Sequence, residues 1–126
     1  MSRARRVSLA GLITLMGGSG IAHVILPEPY LKIVPRWVPS ASAAVFLSGI
    51  AELAVAAALA HPRTRRVGAW ATVALLVAVY PANIQHALDA EPGTGEWWAT
   101  RARLPLQPVL IWWGWIFTRA KDEASP

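Results

Sequence analysis

Cysteine is absent from the chain, which removes disulfide exchange, thiolate nucleophiles and Cys-ligated zinc or iron–sulfur clusters from its own chemistry. Acidic residues are scarce: seven Asp and Glu stand against twelve Lys and Arg. Only one of them, Glu52, falls inside an apolar run. The sequence has no internal repeat and no low-complexity tract. It also lacks a basic stripe interleaved with aromatics on one face, so the positive excess does not read as nucleic-acid binding.

What is present is apolar. Hydrophobic residues make up 55% of the 126, and the charged residues gather in short clusters between four apolar runs. A hydrocarbon core of roughly 30 Å needs about 20 residues of helix, and a single buried core would not explain four such runs. The predicted fold is all-α, a four-helix transmembrane bundle in one domain covering 1–126, with spans at 7–26, 41–60, 67–88 and 104–118. Pro27 and Pro29 end the first span, and Ser40 behind Pro39 caps the second. Pro105 and Pro108 are expected in the first turn of the fourth, where a missing N–H costs little. Segment 27–39, with Tyr30, Leu31, Ile33, Trp37 and Val38, is expected to lie in the membrane interface. Segment 89–103 is read as a loop anchored by Trp97 and Trp98.

Positive charge sets the orientation. Eight Lys and Arg lie at one face: Arg3, Arg5, Arg6, Arg63, Arg65, Arg66, Arg119 and Lys121. Lys32, Arg36, Arg101 and Arg103 lie at the other. The larger group belongs in the cytoplasm, which puts both termini inside and the protein in the cytoplasmic membrane. The run after Arg6 has the outline of a signal peptide, but no A-x-A-like cleavage site follows it.

Polar side chains at membrane depth are costly, on the order of 3 kcal/mol for a charge at the centre, and so turn toward the bundle interior. Counting about 1.5 Å per helical residue from the cytoplasmic arginines puts Glu52 and Gln107 about 16 to 18 Å deep. His23, Ser48, Asn83 and Arg103 fall at about 22 to 26 Å. Ser48 and Glu52 share a helix face, as do Arg103 and Gln107, and Asn83 and His86. With only a short fourth span, Arg103 is drawn inward, and Glu52 is the acid expected to meet it, directly or through Gln107 or water. That leaves Glu52 either protonated or ionised against Arg103. Pro81 deprives the Val77 carbonyl of its helical partner, a kink beside Asn83. His23, Ser48, Glu52, Asn83, His86, Arg103 and Gln107 are therefore the candidate ligand-binding residues. No metal site is expected, since neither His23 nor His86 belongs to an H-x-x-x-H pair. The competing account is structural: polar groups join membrane helices by bonds averaging about 0.6 kcal/mol. On that account Gly17, Gly18, Gly20 and Gly49 permit close packing, and Trp112, Trp113 and Trp115 face lipid or the interface.

Four ordered strings, GSGIAHVILPEPYLKIVP, SGIAEL, VYPANI and RLPLQPVLIWW, resemble small DoxX-like membrane proteins of bacteria over about residues 17 to 115. The resemblance implies a four-helix bundle in the cytoplasmic membrane. It also implies an association with redox physiology, the family including a quinone-linked thiosulfate oxidoreductase subunit. It singles out His23, Pro27, Ser48, Glu52, Pro81, Asn83, Arg103, Pro105 and Gln107. The expected function is an accessory subunit that binds a quinone-like ligand in the bilayer, with an oxidoreductase partner or as a homo-oligomer. The sequence names no catalytic residue. A proton-coupled carrier built on Glu52 and Pro81, and a purely structural or assembly role, are the alternatives.

Overall fold

The computed structural model describes residues 1–119, and Lys121 lies outside the described residues. The fold is all-helical: α1 spans Arg3–Ile25, α2 Glu28–Leu31, α3 Ala41–Ala60, α4 Arg65–Asp89 and α5 Gly95–Ile116. Ser2 and Ser40 start α1 and α3, each accepting from the backbone N–H three residues on, which satisfies one of the donors a helix leaves open at its first turn. The predicted 41–60 coincides with α3, and the first and third predicted spans fall within α1 and α4 to a residue at the C-terminal end of α1.

The expected loop at 89–103 is corrected, because α5 starts at Gly95 and takes in Trp97, Trp98, Arg101 and Arg103. The start is well made. Gly93 takes a positive φ of 85°, a conformation glycine adopts without steric cost. Thr94 then accepts from the Trp97 N–H at 3.1 Å, and Glu96 puts an acid in the first turn, where the helix dipole favours it. With 22 residues, α5 is about 33 Å long, so shortness does not draw Arg103 inward. Pro105 and Pro108 lie mid-helix rather than in a first turn.

Each long helix runs antiparallel to its neighbours, and the paired side chains fix the order. Gly20 and Gly17 of α1 face Gly49 and Ala56 of α3; Gly68 of α4 faces Ala58 and Leu59 of α3. Asn83, Tyr80 and Leu76 of α4 meet Arg103, Leu104 and Gln107 of α5. The ring closes where Arg5 Nη2 donates to the Ile116 carbonyl and Trp113 Nε1 to the Ser8 hydroxyl, both at 2.8 Å. The core, with Leu12, Met16, Leu59, Ala69 and Phe117, sits toward this end. α1 and α3 approach closely: a Cβ on Gly49 would sit 2.8 Å from the His23 Cβ and 3.0 Å from the Gly20 carbonyl.

The exterior is apolar while polar groups lie within. Leu47, Val77 and Ile25 are more than half exposed, whereas Glu52, Thr72, Asn83 and Gln107 are buried. Water as the surrounding solvent would favour the opposite arrangement; hydrocarbon favours this one. Among the described residues, α1, α3 and α4 are long and apolar enough to cross a membrane. These are the features of a membrane protein. The first half of α5 carries Glu96, Arg101 and Arg103, which keeps it out of that class.

Candidate functional site

Two prolines flank the segment that follows α1, and the chain there cannot continue the helix. It folds back over the ends of α1, α3 and α4, so that Tyr30, Val34, Trp37 and Val38 roof a cavity of about 300 Å³, at the lower end of the roughly 300–1,000 Å³ usual for ligand pockets. The roof is locked to the wall by Tyr30, whose ring stacks on His23 with centroids 3.9 Å apart and planes at 22°. Segment 27–39, expected in the interface, thus forms part of the site.

The polar wall is built from three long helices and α5. Ser19 and His23 come from α1, Ser48 and Glu52 from α3, Asn83 from α4 and Arg103 from α5. Ser19 and His23, like Ser48 and Glu52, stand four residues apart and so share a helix face. His23 Nδ1 lies 2.6 Å from the Ser19 carbonyl oxygen. A carbonyl only accepts, so Nδ1 carries the hydrogen and donates it there. The same nitrogen is 3.6 Å from Glu52 Oε2, beyond hydrogen-bond reach. Ser19 brings a hydroxyl beside the carboxyl, yet Glu52 Oε2 is fully buried and has no hydrogen-bond partner. Leaving such an atom unsatisfied costs about 1–3 kcal/mol, more if charged.

Arg103 is exposed and donates from Nη2 to Asn83 Oδ1 at 2.8 Å. The expected direct Glu52–Arg103 ion pair does not form; the acid's nearest basic group is His23. The reason is positional, since Asn83 intercepts the guanidinium from the adjoining helix. Glu52 and Arg103 nevertheless face common space. Both, with Ser19, line a second chamber of about 160 Å³, whose remaining wall is Leu15, Met16, Leu76, Leu106, Gln107 and Leu110. The polar layers therefore converge on a cavity that continues toward the middle of the fold.

Prolines shape the α4–α5 wall. Pro108 has no N–H to give the Leu104 carbonyl four residues back. The Tyr80 hydroxyl fills that place, donating to the Leu104 oxygen at 2.8 Å. In return Gln107 Nε2 donates to the Leu76 carbonyl at 2.8 Å, next to the Val77 carbonyl that Pro81 leaves without its helical donor. Gln107 thus serves the α4 backbone as well as lining the second chamber.

Of the residues predicted from sequence, His23, Ser48, Glu52, Asn83 and Arg103 meet at the first cavity and Gln107 joins through the second. His86 stands apart: its Nε2 pairs with Glu96 Oε1 at 2.7 Å beside the α4–α5 connection. Ser19, Tyr30 and Tyr80 were not among them. Ser19 was legible as the residue one turn before His23, and Tyr80 as the hydroxyl next to Pro81. Among the described residues, no three His, Asp or Glu side chains group as metal ligands do. A family model described as a domain of unknown function, DUF8561, matches residues 10–118. No curated protein and no solved structure matches the chain.

Proposed function

The chain belongs to the DUF8561 family, and we propose that it is a membrane subunit that holds a small amphipathic ligand, quinone-like in its polar head, on behalf of a redox partner. The observation that carries this reading is Glu52 Oε2, buried and without a partner, on the wall of a cavity that also holds the Arg103 guanidinium. An orphaned carboxyl oxygen of this kind is stable when a ligand completes its hydrogen bonds. A ring with oxygen substituents suits the wall: a hydroxyl can donate to the Glu52 carboxylate while a carbonyl accepts from Arg103. The Tyr30 and Trp37 rings and the aliphatic side chains of Val34, Val38 and Val45 supply the apolar surfaces such a ring needs. The resemblance of four sequence strings to DoxX-like proteins supports the same reading.

The reading includes a topology. Four spans form a transmembrane bundle in the cytoplasmic membrane, α5 crossing beside α1 and α4, with both termini in the cytoplasm. The antiparallel order of the helices and the charge count, eight Lys and Arg against four, support it. Arg101 then lies near the opposite surface, its guanidinium 4.0 Å over the Trp97 ring and bonded to the Ala87 carbonyl.

Lipid extraction tests the function. Protein purified in mild detergent is expected to carry a quinone-like molecule that mass spectrometry identifies, and Glu52→Gln is expected to lose it while remaining folded. Protein devoid of any such molecule, with no spectral response to added decylubiquinone, would refute the reading.

A further inference from the structure

The helices α1 and α5 touch at one end and part toward the other. Contacts run from Arg5 with Ile116, through Ser8 with Trp113, to Gly11, where an added Cβ would lie 3.1 Å from the Trp113 ring. Beyond Gly11 the gap opens, and the second chamber occupies it, with Leu15 and Met16 on one wall and Leu106 and Leu110 on the other. Two of these side chains are also exposed at the outer surface, Leu15 at 38% and Leu106 at 49%. The chamber therefore reaches the face that meets hydrocarbon. At its inner end stand Ser19, Glu52 and Arg103, the groups it shares with the first cavity.

From this geometry we propose that the wedge between α1 and α5 is the passage for a hydrocarbon chain. The ligand is then a head group carrying a single apolar tail, the head beside Glu52 and Arg103 and the tail leaving between Leu15 and Leu106 into the bilayer. The proposal rests on the ligand-binding reading above and narrows it, because a compact head without a chain would leave the wedge empty. The wall chemistry agrees with the assignment. Beyond the shared polar groups only Gln107 is polar, and its amide N–H is given to the Leu76 carbonyl. What remains is aliphatic, suited to methylene or prenyl units and to little else. Both prenyl and acyl chains satisfy this chemistry.

Two probes sharing one head group separate the chain from the head: a methyl-dimethoxybenzoquinone without a side chain, and decylubiquinone. Binding is measured on the full chain in detergent, on wild type and on Leu106→Trp, which fills the wedge from α5. Wild type is expected to bind the decyl compound at least tenfold more tightly than the chainless one. Leu106→Trp should reduce that ratio to within about twofold, with chainless binding unchanged. Leu15→Trp, which fills the wedge from the opposite wall, should do the same and serves if the first variant fails to fold. A chain advantage that survives both substitutions in folded protein overturns the passage while leaving the binding site intact. Failure of wild type to bind either compound overturns the site and the passage together. The same head group carrying a geranyl chain in place of decyl tells prenyl from saturated-chain preference.

Discussion

His23 and Glu52 sit 3.6 Å apart, Nδ1 to Oε2, yet the imidazole N–H is spent on the Ser19 carbonyl. The acid is accompanied without being hydrogen-bonded by its neighbour. The Gly20–Gly49 contact brings the two helices together at this level, so the pair is held by backbone proximity rather than by its own attraction.

Removing the charge at Glu52 separates binding from structure. A hydrogen bond to a charged group contributes about 1.5–3 kcal/mol, so Glu52→Gln is expected to weaken binding of decylubiquinol, whose hydroxyl donates to the carboxylate, by roughly 10–100-fold. The thermal midpoint should stay level or rise, because the substitution also removes the cost of burying an ion. A variant with unchanged affinity and much lower thermal stability would assign Glu52 to packing alone.

Tyr80 and Pro108 form a testable couple. Tyr80→Phe leaves the Leu104 carbonyl without a donor, with an expected loss of about 1–3 kcal/mol in detergent unfolding. Pro108→Ala restores an N–H that can serve the same carbonyl, so adding it should reduce the effect of Tyr80→Phe by about 1 kcal/mol. Additive losses in the double-mutant cycle would mean that the hydroxyl does not replace the missing helical bond.

The α1–α3 contact gives a graded pair of substitutions. Gly49→Ala puts a methyl against the His23 Cβ and the Gly20 carbonyl, and overpacking of this kind costs about 1–3 kcal/mol. It should also displace His23 from Tyr30, which near-ultraviolet circular dichroism would register. At Gly17 the added Cβ would meet the Ala56 Cβ at 3.6 Å, an ordinary contact, and Gly17→Ala should change stability by less than about 0.5 kcal/mol. Equal losses at the two positions would contradict the packing described.

His86 is the control for the site. Its partner Glu96 is largely exposed, and exposed ion pairs contribute about 0–1 kcal/mol. His86→Gln is expected to leave decylubiquinone affinity unchanged in titration and to lower stability by less than about 1 kcal/mol. A tenfold loss of affinity would place His86 in the binding machinery.

Local signals carried much of the fold into the sequence. Ser40 after Pro39 marked the start of α3, and Arg63, Arg65 and Arg66 marked the turn before α4, because caps and charge clusters act within a few residues. The start of α5 is hidden because Pro92, Gly93 and Gly95 beside Trp97 and Trp98 read as a loop with an interfacial anchor, whereas Gly93 and Thr94 together make a helix start. The polar residues of the site were legible because membrane depth penalises each one singly. Their partners were not. Whether Arg103 turns to Glu52 or to Asn83 depends on which helix adjoins α5, and the roof over the cavity depends on the path of segment 27–39. Both are properties of packing, to which spacing along one helix is blind.

The hydroxyl of Tyr80 filling the carbonyl vacated by Pro108 also bears on inheritance. A tyrosine at 80 meets this need only while residue 108 lacks its N–H, and a proline at 108 is tolerated only while something supplies the missing donor. The two positions, 28 places apart in the chain, are therefore expected to drift together, and a descendant that relinquishes one should soon relinquish the other.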